Sequence, residues 1–299
     1  MNYPEEIKKL AEQKKAIIVA HNYQTEEVQD LADFCGDSLE LAQLAKNNTA
    51  ERIVFCGVYF MAEAAAILSP EKKVILPDLE AGCPLADTIT KTELRQMKKK
   101  YPAAEVVVYI NSSAATKTEA DVICTSSNAV KVVNKMKAKE IIFAPDKNLA
   151  NYVQRHTDKK IIPWPGFCPT HENFSKDDFL EIKNKYPEAL SIVHPECRLE
   201  IIDLADEVLS TGQMVKFVKT AKAKKIIVGT EKGMIHKLKS VAPQIEYILA
   251  AKSFTCPNMK KITPKKIYHS LLNEDNLVKV DQETSLLAEK SLDKMLSLS

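Results

Sequence analysis

Three cysteines share one local pattern. Cys83 in "AGCPLAD", Cys168 in "GFCPTH" and Cys256 in "FTCPNMK" are each followed by proline, whereas Cys35, Cys56, Cys124 and Cys197 are followed by Gly, Gly, Thr and Arg. Seven cysteines is an odd number, and in a reducing compartment metal or catalytic roles outweigh disulfides. Soft thiolate ligands suit zinc or an iron–sulfur cluster. Structural zinc usually takes four ligands with paired spacing such as C-x₂-C, and the chain has no such pair. Iron–sulfur clusters are also commonly held by four cysteines. Three would leave one iron of a [4Fe-4S] cubane open, able to act as a Lewis acid on a hydroxyl or carboxylate. The proline after each cysteine removes a backbone donor and stiffens the loop.

An internal repeat explains why the pattern recurs. Nine short runs read as strands alternating with helices: "AIIVA" (16–20), "RIVFCGV" (52–58), "KVILPD" (73–78), "EVVVYI" (105–110), "EIIFAP" (140–145), "KIIPWP" (160–165), "SIVHP" (191–195), "KIIVGT" (225–230) and "EYILAA" (246–251). Buried strands alternating with helices indicate parallel α/β architecture. The nine fall into three sets of three. Each set opens with a strand ending in polar residues, and each then has a segment read as a helix containing Ala-Asp: "LADFCGDS", "EADVICTSS" and "LADEVLSTG". From Asp33, Asp121 and Asp206 to the second-strand residues Ile53, Ile141 and Ile226 is 20 residues every time. From those isoleucines to the Cys-Pro cysteine is 30, 27 and 30 residues.

The expected fold is therefore three similar three-layer α/β/α sandwiches with parallel sheets. Their bounds are set at 1–98, with Cys83; 99–184, with Cys168; and 185–299, with Cys256 and the C-terminal helices. Each repeat is roughly 90 residues, within the usual domain range. A polar helix followed by Lys-Tyr-Pro marks both boundaries (91–105 and 175–190).

Ligands of parallel α/β sheets sit outside the carboxyl ends of the strands. His21, Asn22 and Tyr23 end one opening strand, Tyr109 and Asn111 the second, His194 and Glu196 the third. If the three units face one axis, these groups and the three thiolates converge in one cleft. "GDS" (36–38), "TSSN" (125–128) and "STGQ" (210–213) occupy matching positions at expected helix starts, where hydroxyls and backbone amides suit phosphates and carboxylates; ordinary N-capping is the plainer alternative, but recurrence at one repeat position on the ligand face favours a site for a small polyanionic substrate. Cys56, Cys35 and Cys124 read as small buried hydrophobes. Cys197 beside "HPE" reads either as a neighbour of the site or as part of it. His156 and His269 read as helix-surface residues, His236 stays ambiguous, and His171 either supports a ligand from behind or is a polar loop residue.

Composition narrows the class. Of 299 residues, 45% are hydrophobic and 27% charged, as expected of a soluble globular protein. The start "MNYPEEIKKLAEQKKAIIVA" has too short an apolar run for a signal peptide, and nothing approaches a membrane span, so a cytoplasmic location is expected. A net charge of +2 with scattered lysine clusters gives no nucleic-acid signal. The absence of G-x-G-x-x-G and of a Walker loop disfavours the usual nucleotide-binding enzymes.

The motifs "AHNYQ…VQDLADFCGDSLELA", "GVYFMAE", "GCPLAD", "VYINSSA…K…ADVICTSSNAV", "PDKNLA", "FCPTH", "VHPEC", "STGQM", "GTEKGMIHKL" and "CPNMKKIT" span nearly the whole chain. On these the sequence resembles the quinolinate synthase family. The resemblance implies three homologous α/β domains around a pseudo-threefold axis and a [4Fe-4S] cluster on Cys83, Cys168 and Cys256. It implies condensation of iminoaspartate with dihydroxyacetone phosphate to quinolinate, a precursor of NAD, with release of phosphate and two waters. It also implies a functional link to an aspartate oxidase or dehydrogenase, and no nucleic acid or membrane partner. Carried over by motif, the substrate site comprises His21, Ser38, Tyr109, Ile110, Asn111, Ser126, His194, Pro195, Glu196 and Thr211. Tyr23 and His21 are assigned to isomerisation of the triose. Glu196 and His194 are assigned to proton movement in condensation and dehydration. Ser38, Ser126 and Thr211 take the anionic groups, and Tyr109 and Asn111 orient substrate near the open iron. Three departures stand out: Gly82 replaces a hydroxyl residue before the first cysteine, Arg198 stands where the family often has proline, and "WPGFCPTH" lacks a histidine or alanine before its cysteine. "TCPNMK" has one cysteine, so no disulfide switch is expected there. Two other readings compete. One is an iron–sulfur hydro-lyase of the aconitase type acting on another polycarboxylate. The other is a non-enzymatic redox or metal-sensing protein, which would need a fourth ligand.

Overall fold

The computed structural model describes residues 2–299. It contains three four-stranded sheets with the same strand order and all-parallel pairing. The first comprises β1 (Ala16–His21), β2 (Phe34–Gly36), β3 (Arg52–Cys56) and β4 (Lys73–Ile75), ordered 2-1-3-4. The second comprises β5 (Glu105–Tyr109), β6 (Val122–Cys124), β7 (Glu140–Ala144) and β8 (Lys160–Pro163), ordered 6-5-7-8. The third comprises β9 (Leu190–Val193), β10 (Glu207–Val208), β11 (Lys225–Gly229) and β12 (Glu246–Leu249), ordered 10-9-11-12. Helices flank each sheet. Fully parallel sheets need both faces covered, so their central strands are continuous apolar runs. Val106, Val107 and Val108 of β5 and Ile226, Ile227 and Val228 of β11 are wholly buried.

All nine expected strands are present, with three more: β2, β6 and β10. These two- or three-residue edge strands lie inside the segments read as helices around Ala-Asp. Each aspartate sits between a short helix (Glu26–Leu31, Ala114–Lys117 or Leu199–Ile202) and the edge strand. Its backbone N–H donates to the central strand, from Asp33 to the Ile18 carbonyl at 2.8 Å, Asp121 to Val106 at 2.9 Å and Asp206 to Ser191 at 3.1 Å. Its carboxylate accepts the N–H of that same residue, at 2.7, 2.7 and 2.8 Å. The aspartate thus closes the ladder where the edge strand begins, satisfying backbone groups that would otherwise be unpaired.

The Lys-Tyr-Pro motifs also repeat in conformation. Tyr101 (φ −127°, ψ 68°) ends the helix Lys91–Lys100, and Tyr186 (φ −131°, ψ 66°) ends Lys176–Lys185. The following proline disfavours continued helix. The last two helices reach back over the chain: Pro264–Asn273 packs on Tyr3–Gln13, and Gln282–Leu298 packs on β6 and on the helix Tyr59–Leu68. No helix among the described residues is long and apolar enough to cross a membrane.

Candidate active site

The carboxyl ends of the three sheets open into one cavity of about 970 Å³, its mouth included. Cys83, Cys168 and Cys256 all line it, each on the loop after the last strand of its sheet. His21 and Tyr23 enter from the end of β1, Tyr109 and Asn111 from β5, and His194 and Glu196 from β9; Ser38, Ser126 and Thr211 complete the expected set. Ile110 and Pro195 are buried between their neighbours and do not line the cavity. Cys56, Cys124 and Cys197 are fully buried outside it; Cys197 Sγ lies 3.6 Å from the Gly229 carbonyl. Cys35 is half-buried against Asn22 and Gln29. His156 and His269 are on the surface, and His236 pairs with Asp30 at 2.7 Å, away from the site.

The hydroxyl residues divide into two kinds. Ser38 and Thr211 are the first residues of the helices Ser38–Asn47 and Thr211–Val218, as expected. Capping falls to their predecessors: Asp37 accepts from the amides of Leu39 and Glu40, and Ser210 accepts from Gln213. The hydroxyls of Ser38 and Thr211 are therefore not consumed as caps; that of Thr211 accepts from Asn22 Nδ2 at 3.1 Å. Ser126 departs from the expectation. It stands three residues before the helix Ala129–Lys135, in a turn closed by Asn128 Oδ1 accepting the Thr125 N–H at 2.7 Å. There it meets His194 Nε2 at 3.2 Å. Gly212 is required by close approach, since a Cβ there would lie 2.4 Å from Asp37 Oδ2.

Glu196 is the hub. It is buried, accepts from the Tyr109 hydroxyl at 2.7 Å on Oε1, and meets His171 Nδ1 at 2.8 Å and His194 Nδ1 at 3.6 Å on Oε2. Burial pushes its carboxyl up, but the His194 and His171 imidazoles and the hydrogen bonds from His171 and Tyr109 outweigh it and hold the carboxyl down. Burial holds the His21 and His194 imidazoles down to about 3, against the opposing pull of Glu196, so both are neutral at pH 7. Burial, with the Glu196 charge second, raises the Tyr23 and Tyr109 phenols well above their ordinary value, so both keep their protons. Asn111 Oδ1 is buried without a protein partner, which suits it to a ligand donor.

His171 is more than a polar loop residue. It is buried, with Nδ1 3.2 Å from Cys168 Sγ and Nε2 2.9 Å from Thr230 Oγ1. Sequence reasoning also passed over Thr230 and Glu231, which follow β11. Glu231 lines the cavity, accepts from the Cys256 amide at 3.1 Å and the Gly233 amide at 2.7 Å, and pairs with Lys260 at 3.0 Å; Lys260 also donates to the Tyr23 carbonyl. The available signal was their place: the carboxyl end of a second strand, in "GTEKG", just as Asp146 follows β7.

The donor set fits a multinuclear metal group. Burial raises all three Cys-Pro thiols, Cys83 to about 12, with nearby carboxylates and thiols adding to it. Such thiols ionise only against a strong positive charge, which bound metal supplies. The one group of three or more His, Cys, Asp or Glu ligand atoms within 4.8 Å of one another, among the described residues, is Cys168, His171 and Glu196. The three Cys-Pro sulfurs thus share a cavity without closing on a single ion. The departures leave them in place. A Cβ on Gly82 would have no neighbour nearer than 4.0 Å, and Arg198 donates to the Phe174 carbonyl at 2.9 Å with extended dihedrals (φ −59°, ψ 150°) that proline also adopts.

Fold and site together define a triplicated α/β enzyme whose chemistry sits in one buried cleft at the meeting of its three sheets. Residues 5–297 match the family model described as quinolinate synthetase A protein. The chain is 52% identical over 295 residues to quinolinate synthase 2 of Methanosarcina acetivorans, covering 99% of this chain and 95% of that one. It is 49% identical to the quinolinate synthase of Methanosarcina barkeri (98% and 97% covered) and 50% identical to that of Caldicellulosiruptor saccharolyticus (98% and 97%). The chain belongs to the quinolinate synthase family.

Proposed function

We propose that this enzyme condenses iminoaspartate with dihydroxyacetone phosphate, releasing phosphate and two waters to give quinolinate. The observation that supports this most is the convergence of the three Cys-Pro cysteines on one cavity that also holds neutral imidazoles, protonated phenols and an ionised carboxylate. Cys83, Cys168 and Cys256 would hold a [4Fe-4S] cluster. When bound, it supplies an iron with an open coordination position, a Lewis acid for a hydroxyl or carboxylate.

The remaining roles belong to the chain. Ser38, Ser126 and Thr211 ring the cavity with hydroxyl donors for the phosphate and carboxylates. Tyr109, its proton committed to Glu196, and Asn111, with a free amide oxygen, orient the substrate. Tyr23, beside neutral His21 at a ring separation of 4.7 Å, serves isomerisation of the triose, in which one proton leaves carbon and one returns. Glu196 and His194 move protons in condensation and dehydration. A functional link to an oxidase or dehydrogenase of aspartate follows, since the imine must be made from the amine by oxidation. We further propose the domain bounds 1–98, 99–184 and 185–299 and a cytoplasmic location.

The test is anaerobic purification with iron and sulfide analysis of the parent and of Cys83→Ser, Cys168→Ser and Cys256→Ser, alongside quinolinate formation from the two substrates. About four irons and four sulfides in the parent, lost in each variant, is the expected result. Four irons retained in any variant removes that ligand. A single ion without sulfide would instead assign a mononuclear site to Cys168, His171 and Glu196. Turnover of another polycarboxylate with no consumption of the triose phosphate would transfer the enzyme to the hydro-lyase reading.

A further inference from the structure

Cys168 and His171 stand one helical turn apart. Cys168 is the N-cap of the four-residue helix Pro169–Glu172 and His171 is its third residue, so thiol and imidazole lie on the same side. His171 Nδ1 is 3.2 Å from Cys168 Sγ and 2.8 Å from Oε2 of Glu196, which follows β9. The three ligand atoms lie within 4.8 Å of one another, and no other such group exists among the described residues. A tetrahedral zinc ion, with bonds of about 2.3 Å to sulfur and about 2.0 Å to nitrogen and oxygen, holds its ligand atoms about 3.3–3.6 Å apart. The atoms here need to part by only about half an ångström to accept one.

The neighbours orient these ligands as a metal site requires. The Tyr109 hydroxyl holds Glu196 Oε1 at 2.7 Å, which leaves Oε2 for an ion. His171 Nε2 is 2.9 Å from Thr230 Oγ1, so an imidazole bound through Nδ1 can donate its other N–H there. His171 and Glu196 are buried, and all three residues line the cavity, which leaves room for a water as the fourth ligand.

We propose that the cluster-free chain binds one thiophilic divalent cation of the zinc class on Cys168 Sγ, His171 Nδ1 and Glu196 Oε2. This ion and the cluster exclude each other, because both need Cys168. On binding, the thiol proton leaves to solvent and the ring proton moves from Nδ1 to Nε2. A mixed sulfur, nitrogen and oxygen set disfavours magnesium and calcium, which take oxygen ligands. Only the exclusion rests on the reading of Cys168 as a cluster ligand.

The test takes the full chain, freed of metal by chelation under anaerobic conditions, and titrates it with Zn²⁺, with Mg²⁺ as control and Co²⁺ as spectroscopic probe. The expected result is one tight equivalent of Zn²⁺, no Mg²⁺, and a Co²⁺ spectrum of four-coordinate metal with a thiolate charge-transfer band. Cys168→Ser, His171→Gln and Glu196→Gln should each weaken Zn²⁺ by more than the about ten- to hundredfold that supporting groups cost. Cys83→Ser and Cys256→Ser should bind it within about threefold of the parent. In the parent, Zn²⁺ should shield Cys168 from alkylation but neither Cys83 nor Cys256, a footprint that needs no variant to fold. Equal shielding of the three thiols, equal weakening by Cys83→Ser, parental affinity without His171, or no stoichiometric binding overturns the site. One equivalent of Zn²⁺ added before iron and sulfide should lower cluster formation by at least about tenfold, and a chelator should restore it. Full iron uptake with the zinc retained overturns the exclusion. The titration needs no cluster, so failure of the zinc site and failure of the cluster reading are told apart.

Discussion

The two ends of the three sheets tell opposite stories. At the start of each edge strand, Asp33, Asp121 and Asp206 make the same pair of bonds to the same place on the central strand, within 0.1 Å for the carboxylate bond. At the carboxyl ends of the sheets the likeness is partial: each unit keeps a Cys-Pro loop and a hydroxyl residue, and His21 and His194 accept the same turn bond, but the other groups differ. One unit offers His21 and Tyr23, the next Tyr109 and Asn111, the third His194 and Glu196. The repeat therefore copies what every parallel sheet needs, together with one thiol per copy. The asymmetric chemistry comes from residues that differ between copies. Symmetric thiols would suit a symmetric metal group, while the proposed condensation of two unlike substrates would need an unsymmetric wall around it.

This contrast breaks most sharply at Glu196. Glu196→Gln keeps the size but replaces an acceptor-only carboxylate that takes bonds from Tyr109 and His171. Quinolinate formation should fall by about 10²- to 10⁴-fold, with iron content and melting temperature near parental. A parental rate would remove Glu196 from the proton steps. The aspartates should behave in reverse. Asp121→Asn weakens the acceptor for the Val106 amide and should cost about 1–3 kcal/mol of stability by urea unfolding, with little change in kcat of the folded enzyme. The same change at Asp33 and Asp206 should cost a similar amount, and an aspartate whose loss slows turnover without unfolding the protein would end the division into scaffold and chemistry.

The sequence carried the scaffold because repetition made it visible. Equal spacings from aspartate to isoleucine to cysteine sorted nine strands into three sheets and singled out the thiols that now share one cavity. The edge strands β2, β6 and β10 escaped because two or three residues carry no alternation, and their pairing depends on an aspartate bond that no local propensity encodes. Among the site residues, those on opening strands were legible as polar ends to apolar runs. Thr230, Glu231 and the three-way contact of His171 were not: their roles arise between sheets, at separations such as Tyr23 to Thr230 that only the packed units define.

Lys117 offers an intermediate test, because it breaks the symmetry inside the scaffold. It is fully buried, donates to the Ser112 carbonyl, and has no counterpart in the other two short helices. Burial lowers its ammonium to about 8, partly offset by Glu63 and Cys83. The folded state thus binds fewer protons than the unfolded chain between pH 8 and 10.5, so the native lysine is a burden at pH 7 that lightens as pH rises. The unfolding free energy of Lys117→Met minus that of the parent should fall by about 2 kcal/mol between pH 7 and 9.5. A difference that does not change with pH would show that Lys117 titrates as an exposed lysine does.

The smallest effect is expected beside the first thiol. Gly82 needs neither a left-handed backbone nor close approach, since its φ is not positive and a Cβ would meet nothing nearer than the Glu80 carbonyl at 4.0 Å. Gly82→Thr should therefore leave iron content and turnover unchanged. It should shift stability by less than about 1 kcal/mol, on the stabilising side through the lost freedom of the unfolded chain. Iron loss in that variant would show that the Cys83 loop must bend further than this structure has it to present its thiol. The loop would then belong with the part of the molecule that differs between copies rather than with the part that repeats.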